Sequence, residues 1–155
     1  MIELQVMAES DFQEYLTRAV ETYAAEKVKA GNWREDEALD RSRKEFNDLL
    51  PEGVYTADHF LYNIVNETGE KVGFLWFALA PRRPEWYFIY DFEIFEVFRR
   101  RGYAFQALAK LEELARTRSI ETIELHVFGH NTAARELYKK AGFIEANVMM
   151  TKEIK

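Results

Sequence analysis

The stretch Ile94-Phe95-Glu96-Val97-Phe98-Arg99-Arg100-Arg101-Gly102-Tyr103-Ala104 joins two different hydrophobic periods. Upstream, from Trp86 to Ile94, Phe88, Tyr90, Phe92 and Ile94 alternate with their neighbours, the period of a strand. Downstream, Ala104, Ala107, Leu108, Leu111, Leu114 and Ala115 fall on one helical stripe, so a helix is expected from Tyr103 to Arg118. A strand thus runs into a basic, glycine-containing turn that opens a helix. The first helical turn offers free backbone N–H groups at the positive end of the helix dipole. Gly102 lets backbone come close to a ligand, and three arginines add positive charge. Such a turn suits a phosphate or pyrophosphate.

The 155 residues make one ordinary domain, residues 1–155, with enough apolar content (48%) to bury a core. No apolar run is long enough to span a bilayer, and Met1 leads directly into a strand-like segment without a signal pattern. The expected location is therefore the cytoplasm, with no membrane partner. The absence of cysteine excludes disulfides, thiolate metal sites and a cysteine acyl-enzyme. Of His59, His126 and His130, the last two are four apart, but Gly129 puts a turn between them. No metal is expected. A net charge of −6 argues against a nucleic-acid surface, and Arg99–Arg101 is a local exception to it.

Outward from the turn, Ile2, Leu4 and Val6 read as a short first strand. Ser10 with Gln13 has capping-box spacing, and Phe12, Leu16, Ala19, Val20 and Tyr23 stripe a helix reaching towards Lys29. Gly31-Asn32 breaks it, and a second helix follows from Glu35 to Leu50, closed by Pro51 and Gly53. His59–Asn66 and Lys71–Leu79 form a hairpin, and Pro81-Arg82-Arg83-Pro84 makes the turn into the Trp86–Ile94 strand. Ile123, Leu125 and Val127 alternate as another strand, then Ala134, Leu137, Tyr138 and Ala141 stripe a helix stopped by Gly142. Strand-like segments around Val148, Met150 and Ile154 finish the chain. The order β α α β β β α β α β β predicts a single α/β domain with a mixed sheet and helices on both faces.

The second informative segment is Asn131-x-x-Ala134-x-x-Leu137-Tyr138-x-x-x-Gly142-Phe143. Alone, Asn131 suits a helix N-cap and Tyr138 a core aromatic. Combined in this order with Arg99-x-x-Gly102-x-Ala104, the two segments resemble the GNAT superfamily of acetyl-coenzyme A-dependent N-acetyltransferases. The match covers residues 86–143 closely, and the earlier elements agree in order. Phe88-Ile89-Tyr90-Asp91 and Leu125–Asn131 look like a group of small bacterial members without an assigned substrate. Two departures are modest: Ala104 replaces the commoner glycine, and Glu96 stands where proline is frequent.

The resemblance implies a central, mostly antiparallel twisted sheet splayed between its fourth and fifth strands. It implies that backbone amides of Arg99, Arg100, Arg101, Gly102, Tyr103 and Ala104 hold the coenzyme pyrophosphate. The backbone around Phe92 and Ile94 would pair with the pantetheine arm, and the Ile94 N–H would polarise the thioester carbonyl. Asn131 would contact the pantetheine or hold the cleft wall, and Tyr138 would protonate the departing thiolate. Acetyl would pass from acetyl-CoA directly to a primary amine of a small molecule, peptide or protein, within a ternary complex. Homodimers are common in the family, so a homodimer is the assembly to test for.

An amine with a pKa near ~10.4 must lose a proton before it attacks. Asp91 and Glu93 share a strand face by alternation and lie in an apolar stretch that would raise a carboxyl pKa. Glu93 is favoured as base for its nearness to Ile94, with His126 on the neighbouring strand second. A bulge, common here in the family, would reverse this parity. Tyr23, Trp33, Tyr62 and Trp76 are candidates to line an acceptor pocket, Trp33 above all, because it lies in the break between the early helices. The alternative reading is a non-catalytic acyl-CoA-binding sensor on the same fold. A nucleotide-phosphate enzyme is disfavoured, since no Gly-x-x-x-x-Gly-Lys loop accompanies the turn.

Overall fold

In the computed structural model, which describes residues 1–154, five strands form one sheet in the order β1-β2-β3-β4-β5. They are β1 (Glu3–Val6), β2 (His59–Val65), β3 (Lys71–Ala80), β4 (Arg83–Ile94) and β5 (Thr122–Leu125). The first four are antiparallel, and β4 pairs with β5 in parallel. The strand from 86 to 94 therefore begins three residues earlier, because the turn closes tightly at Pro81-Arg82, with Arg82 in the left-handed region at φ 65°.

Helices α1 (Glu9–Lys29) and α2 (Glu35–Leu49) cover one face, and α3 (Tyr103–Thr117) and α4 (Thr132–Lys140) cover the other. The α1 face buries Phe12, Tyr15, Ala19 and Phe46 against Phe74 and Trp76. The α3 face buries Ala107, Leu108 and Leu111 against Leu75, Phe77, Tyr87 and Ile89. Alternation along β3 sends Trp76 to one core and Leu75 and Phe77 to the other, which is why its sequence is apolar throughout.

Three expectations need correction. Helix α1 starts at Glu9, so Ser10 lies inside it rather than capping it. The N-terminal turn is instead closed by Asp11, whose carboxylate accepts from the Ala8 N–H at 3.4 Å. Strand β5 ends at Leu125, two residues short of Val127, where β4 no longer runs beside it. Residues 143–154 carry no regular secondary structure, although their sequence reads as strand.

Candidate active site

The sheet opens within the reach of the turn that joins β4 to α3. The β4–β5 pairing runs from Trp86↔Thr122 to Ile89↔Leu125 and stops, while β4 stays paired with β3 as far as Ile94↔Gly73. At this point β4 bulges: Trp76 pairs with Asp91 and Phe77 with Ile89, which leaves Tyr90 as the extra residue. The bulge reverses the parity of the strand. Tyr87 and Ile89 before it, and Phe92 and Ile94 after it, pack on the α3 side. Tyr90 joins the α1 side, where Asp91 and Glu93 meet side chains of α1. The expected single face of Phe88, Tyr90, Phe92 and Ile94 is thus divided, while Asp91 and Glu93 do share a face.

The Phe95 N–H donates to the Val72 carbonyl at 2.8 Å. Antiparallel pairs alternate between bonded and non-bonded, so Glu93 and Asp91 also turn their backbone groups towards β3. Phe92 and Ile94 then direct theirs to the other side, into the gap that β5 leaves. The Ile94 carbonyl accepts from Arg99 Nε at 2.9 Å.

The turn itself is built on backbone. Arg100 (φ 66°) and Gly102 (φ 78°) are both left-handed, and Gly102 is the N-cap of α3 with no side chain capping it. The first helical bond is Gln106 N–H to the Gly102 carbonyl, so the amides of Tyr103, Ala104 and Phe105 have no partner within the helix. A non-glycine residue held left-handed stores of order 1 kcal/mol of strain and recurs at ligand clamps. A cleft of about 220 Å³ opens here, walled by Ile94, Phe98, Gly102 and Ala104 on one side and by Leu137 and Lys140 of α4 on the other. Arg99 and Arg100 also line the cleft, although Arg99 is bonded back onto Ile94 and Glu93 and Arg101 lies over the Phe98 ring.

The two strand acids have unlike surroundings. Glu93 Oε2 accepts from Arg18 at 2.7 Å and meets Arg99 at 3.5 Å, so two guanidiniums occupy it. Asp91 instead accepts from the buried Tyr15 hydroxyl at 2.7 Å. Asp91 is partly open to solvent yet deep among protein atoms. That burial pushes its carboxyl up to about 6, against the lowering effect of the Tyr15 bond.

Tyr138 lies on the opposite side of the gap, its ring 6.5 Å from that of Phe92. Burial, then the charge of Asp91, pushes its phenol up to about 12, so it holds its proton throughout the neutral range. The segment from Asn131 to Phe143 has a local explanation. Asn131 Oδ1 accepts from the Ala134 N–H at 3.2 Å as the N-cap of α4. At the other end Gly142 (φ 99°) donates to Lys139 and Phe143 to Tyr138, the Schellman pattern. Its customary apolar contact is Phe143 against Tyr138, with rings 5.6 Å apart. The spacing Tyr-x-x-x-Gly-Phe therefore fixes the phenol's ring from behind.

On the α1 face, Tyr23 and Trp33 meet edge to face at 5.5 Å, and the Lys27 ammonium lies 5.3–5.9 Å from the rings of Trp33, Tyr23 and Phe128. His126 lies near that ammonium, and burial with this charge lowers its pKa, which keeps the imidazole neutral. His130 meets Glu26 at 2.6 Å and ties α1 to the loop after β5. Trp76 is core, stacked on Tyr90 at 4.7 Å with its Nε1–H donated to His59 Nδ1. Tyr62 does not join this group, since it stacks on Phe77 on the α3 face.

Three residues absent from the sequence reading matter here. Tyr15 and Arg18 each hold one strand acid, and only packing reveals that pairing. Gly73 had a legible signal, a glycine inside an apolar strand. A Cβ there would overlap the Glu93 carbonyl oxygen and lie 3.0 Å from Ile94 Cα, so Gly73 sets how closely β3 supports the end of β4.

A family model described as the acetyltransferase (GNAT) family matches residues 15–143. The uncharacterized N-acetyltransferase YycN of Bacillus subtilis is 44% identical over 154 residues, 99% of each chain, and YdgE of the same organism is 36% identical over 97% of each. The crystal structure of YycN superposes with a TM-score of 0.95, covering 100% of this chain and 99% of its own. AAC(6')-Iy, in complex with the bisubstrate analog CoA-S-monomethyl-acetylneamine, shares the fold (TM-score 0.62, 13% identity, 100% and 99% coverage). The chain belongs to the GNAT family of acetyltransferases.

Proposed function

We propose that the chain transfers the acetyl group of acetyl-CoA directly to a primary amine of a small molecule, peptide or protein. The observation that carries this is the placing of Asp91 and Tyr138 on opposite sides of the unpaired Phe92–Ile94 edge. One side thus has a carboxylate able to take a proton near neutral pH, and the other a phenol able to give one. The amine enters from the α1 face, past Tyr23, Trp33 and His126, and the thioester from the α3 face.

The residues fit the coenzyme. Amides of Gly102 to Phe105 at the open helix end hold the pyrophosphate, with Lys140 adding charge from across the cleft. Backbone groups of Phe92 and Ile94 pair with the pantetheine arm as an added strand would. Acetyl-CoA supplies the activated acetyl thioester. The Ile94 N–H donates to the thioester carbonyl, where negative charge grows. Asp91, rather than the arginine-held Glu93, takes the proton from the amine, and Tyr138 holds the proton that the departing sulfur takes up. His126, kept neutral, is a second acceptor of protons on the amine's path. AAC(6')-Iy, of the same fold, binds an analogue joining CoA to an amine, which supports a ternary route.

The test pairs calorimetry with a thiol-release assay over an amine panel. Wild-type protein binds acetyl-CoA and turns over at least one amine, and Gly102→Glu loses coenzyme binding through crowding and repulsion of the pyrophosphate. Unchanged affinity in Gly102→Glu refutes the coenzyme site, and tight binding with no turnover on any amine favours a sensor.

A further inference from the structure

One positive charge beside the gap in the sheet is held by rings and by no acid. Lys27 lies in the last turn of α1, and its carbonyl accepts from the N–H groups of Asn32 at 2.9 Å and Trp33 at 3.4 Å. The break between α1 and α2 therefore folds back onto this residue. Its ammonium lies 5.6 Å from the centre of the Tyr23 ring, 5.3 Å from that of Trp33 and 5.9 Å from that of Phe128. Tyr23 and Trp33 belong to the α1–α2 side, and Phe128 to the loop after β5. The Phe128 ring meets His126 edge to face at 5.1 Å, and His126 directly follows Leu125, the last residue of β5. Leu125 pairs with Ile89, two residues before Asp91, so the ring cluster borders the first open residues of β4.

The charges around Lys27 have partners of their own. Glu26 is held by His130 at 2.6 Å, Arg41 by Glu37 at 2.8 Å, and Glu45 faces the Tyr23 hydroxyl. Among the described residues the Lys27 ammonium has neither a carboxylate nor a hydrogen-bond acceptor, and it is not sealed from solvent. Ring faces attract an ammonium without using its three N–H donors. The result is a fixed cation with free donors in a chain of net charge −6. A plain alkylammonium arriving there meets a like charge. An amine that also carries an anionic oxygen group offsets that charge and fills the donors.

We infer that Lys27 binds the anion of the acceptor: the amine acetylated here belongs to a molecule that also carries a carboxylate or a phosphate, whose oxygen accepts from the Lys27 ammonium. Tyr23, Trp33 and Phe128 fix where that ammonium stands. The inference rests on the acetyl-transfer reading above and narrows its acceptor from any primary amine to an anionic one.

The test uses pairs of amines that differ in the anion: leucine and leucinamide, γ-aminobutyrate and its amide, phosphoethanolamine and ethanolamine. Turnover of each with acetyl-CoA is measured, and each is titrated by calorimetry into protein holding coenzyme A, which reads binding without transfer. The expected result is that at least one anionic member binds more tightly than its partner and has a lower KM. The difference is roughly ten- to a hundredfold, the size of a hydrogen bond between charged groups. Scoring the carboxylate pairs apart from the phosphate pair tells the two anions apart. Lys27→Met keeps an apolar stem against the rings and removes the preference, the loss appearing in KM rather than kcat. Lys27→Glu reverses the preference, and Lys27→Arg, which keeps a cation over the rings, retains it. A binding preference that Lys27→Met removes, with no turnover of any amine, supports the anion site and counts against acetyl transfer. Turnover with equal KM within every pair overturns the proposal, as does a preference that survives Lys27→Met, or no binding of any anionic member.

Discussion

Replacing Tyr15 by Phe removes the one hydroxyl that bonds Asp91 and keeps the ring that packs edge to face on Phe74 at 4.6 Å. The hydroxyl donates to Asp91 at 2.7 Å, and this bond favours the ionised carboxylate. The other charges facing Asp91 are Arg18 from α1, which lowers its pKa, and Glu93 on its own strand, which raises it. Tyr138 of α4 feels the Asp91 charge in turn. A hydrogen bond to a charged group is worth about 1.5–3 kcal/mol, which is about one to two pKa units. Without it, Asp91 rises from about 6 to roughly 7–8. A base must be ionised to work, so the acidic limb of kcat/KM moves up in pH by that amount. At pH 7 the rate falls roughly two- to tenfold, and near pH 9 the variant approaches wild type. The assay is thiol release from acetyl-CoA with a saturating amine across pH 5–9. A uniform drop at every pH with an unmoved limb would refute the reasoning, because it reports damaged packing and not a retuned base.

Asp91→Asn abolishes the limb and, unlike most changes at a buried site, stabilises the fold at neutral pH. The folded pKa of about 6 exceeds the unfolded value near ~3.9. The folded state therefore holds this proton more tightly, and wild-type stability declines as pH rises from about 4 to 6, by about 3 kcal/mol in all. Chemical denaturation at pH 4 and pH 8 checks it: the gain of the Asn variant belongs at pH 8 alone. Tyr138→Phe lowers kcat by roughly a hundred- to ten-thousandfold with little change in coenzyme affinity by calorimetry. Equal turnover would remove its acid role. Gly73→Ala forces the end of β4 aside, because its Cβ overlaps the Glu93 carbonyl. A displacement near ~1 Å at Ile94 costs roughly a hundredfold in kcat/KM. A variant of normal activity would show that β4 does not depend on that close approach.

Much of the site is local, and local chemistry is legible in a chain. The helix start after Gly102 and the N-cap at Asn131 follow from residue types at fixed offsets, as does the Gly142-Phe143 stop behind Tyr138. The change from a period of two to a period near 3.6 across Ile94–Ala104 marks the strand-to-helix joint for the same reason. Side-chain direction along β4 was not legible. One extra residue at Tyr90 reverses every later side chain, and a bulge is decided by pairing with β3, not by the strand's own pattern.

The ordering of the two acids changed on the same ground. Glu93 and Asp91 look equivalent in sequence, two apart in an apolar strand. Their difference lies in what α1 lays over them, a guanidinium from Arg18 on one and a phenol from Tyr15 on the other. Those partners are 75 and 76 residues away, beyond any local pattern. Tyr62 and Trp76 were likewise indistinguishable as strand aromatics until pairing sent them to opposite faces. By itself, then, the sequence determined where backbone amides would be left free and which residues could move a proton. Only the tertiary structure decided which acid is bonded by a phenol and which by guanidiniums, because that depends on packing between elements far apart in the chain.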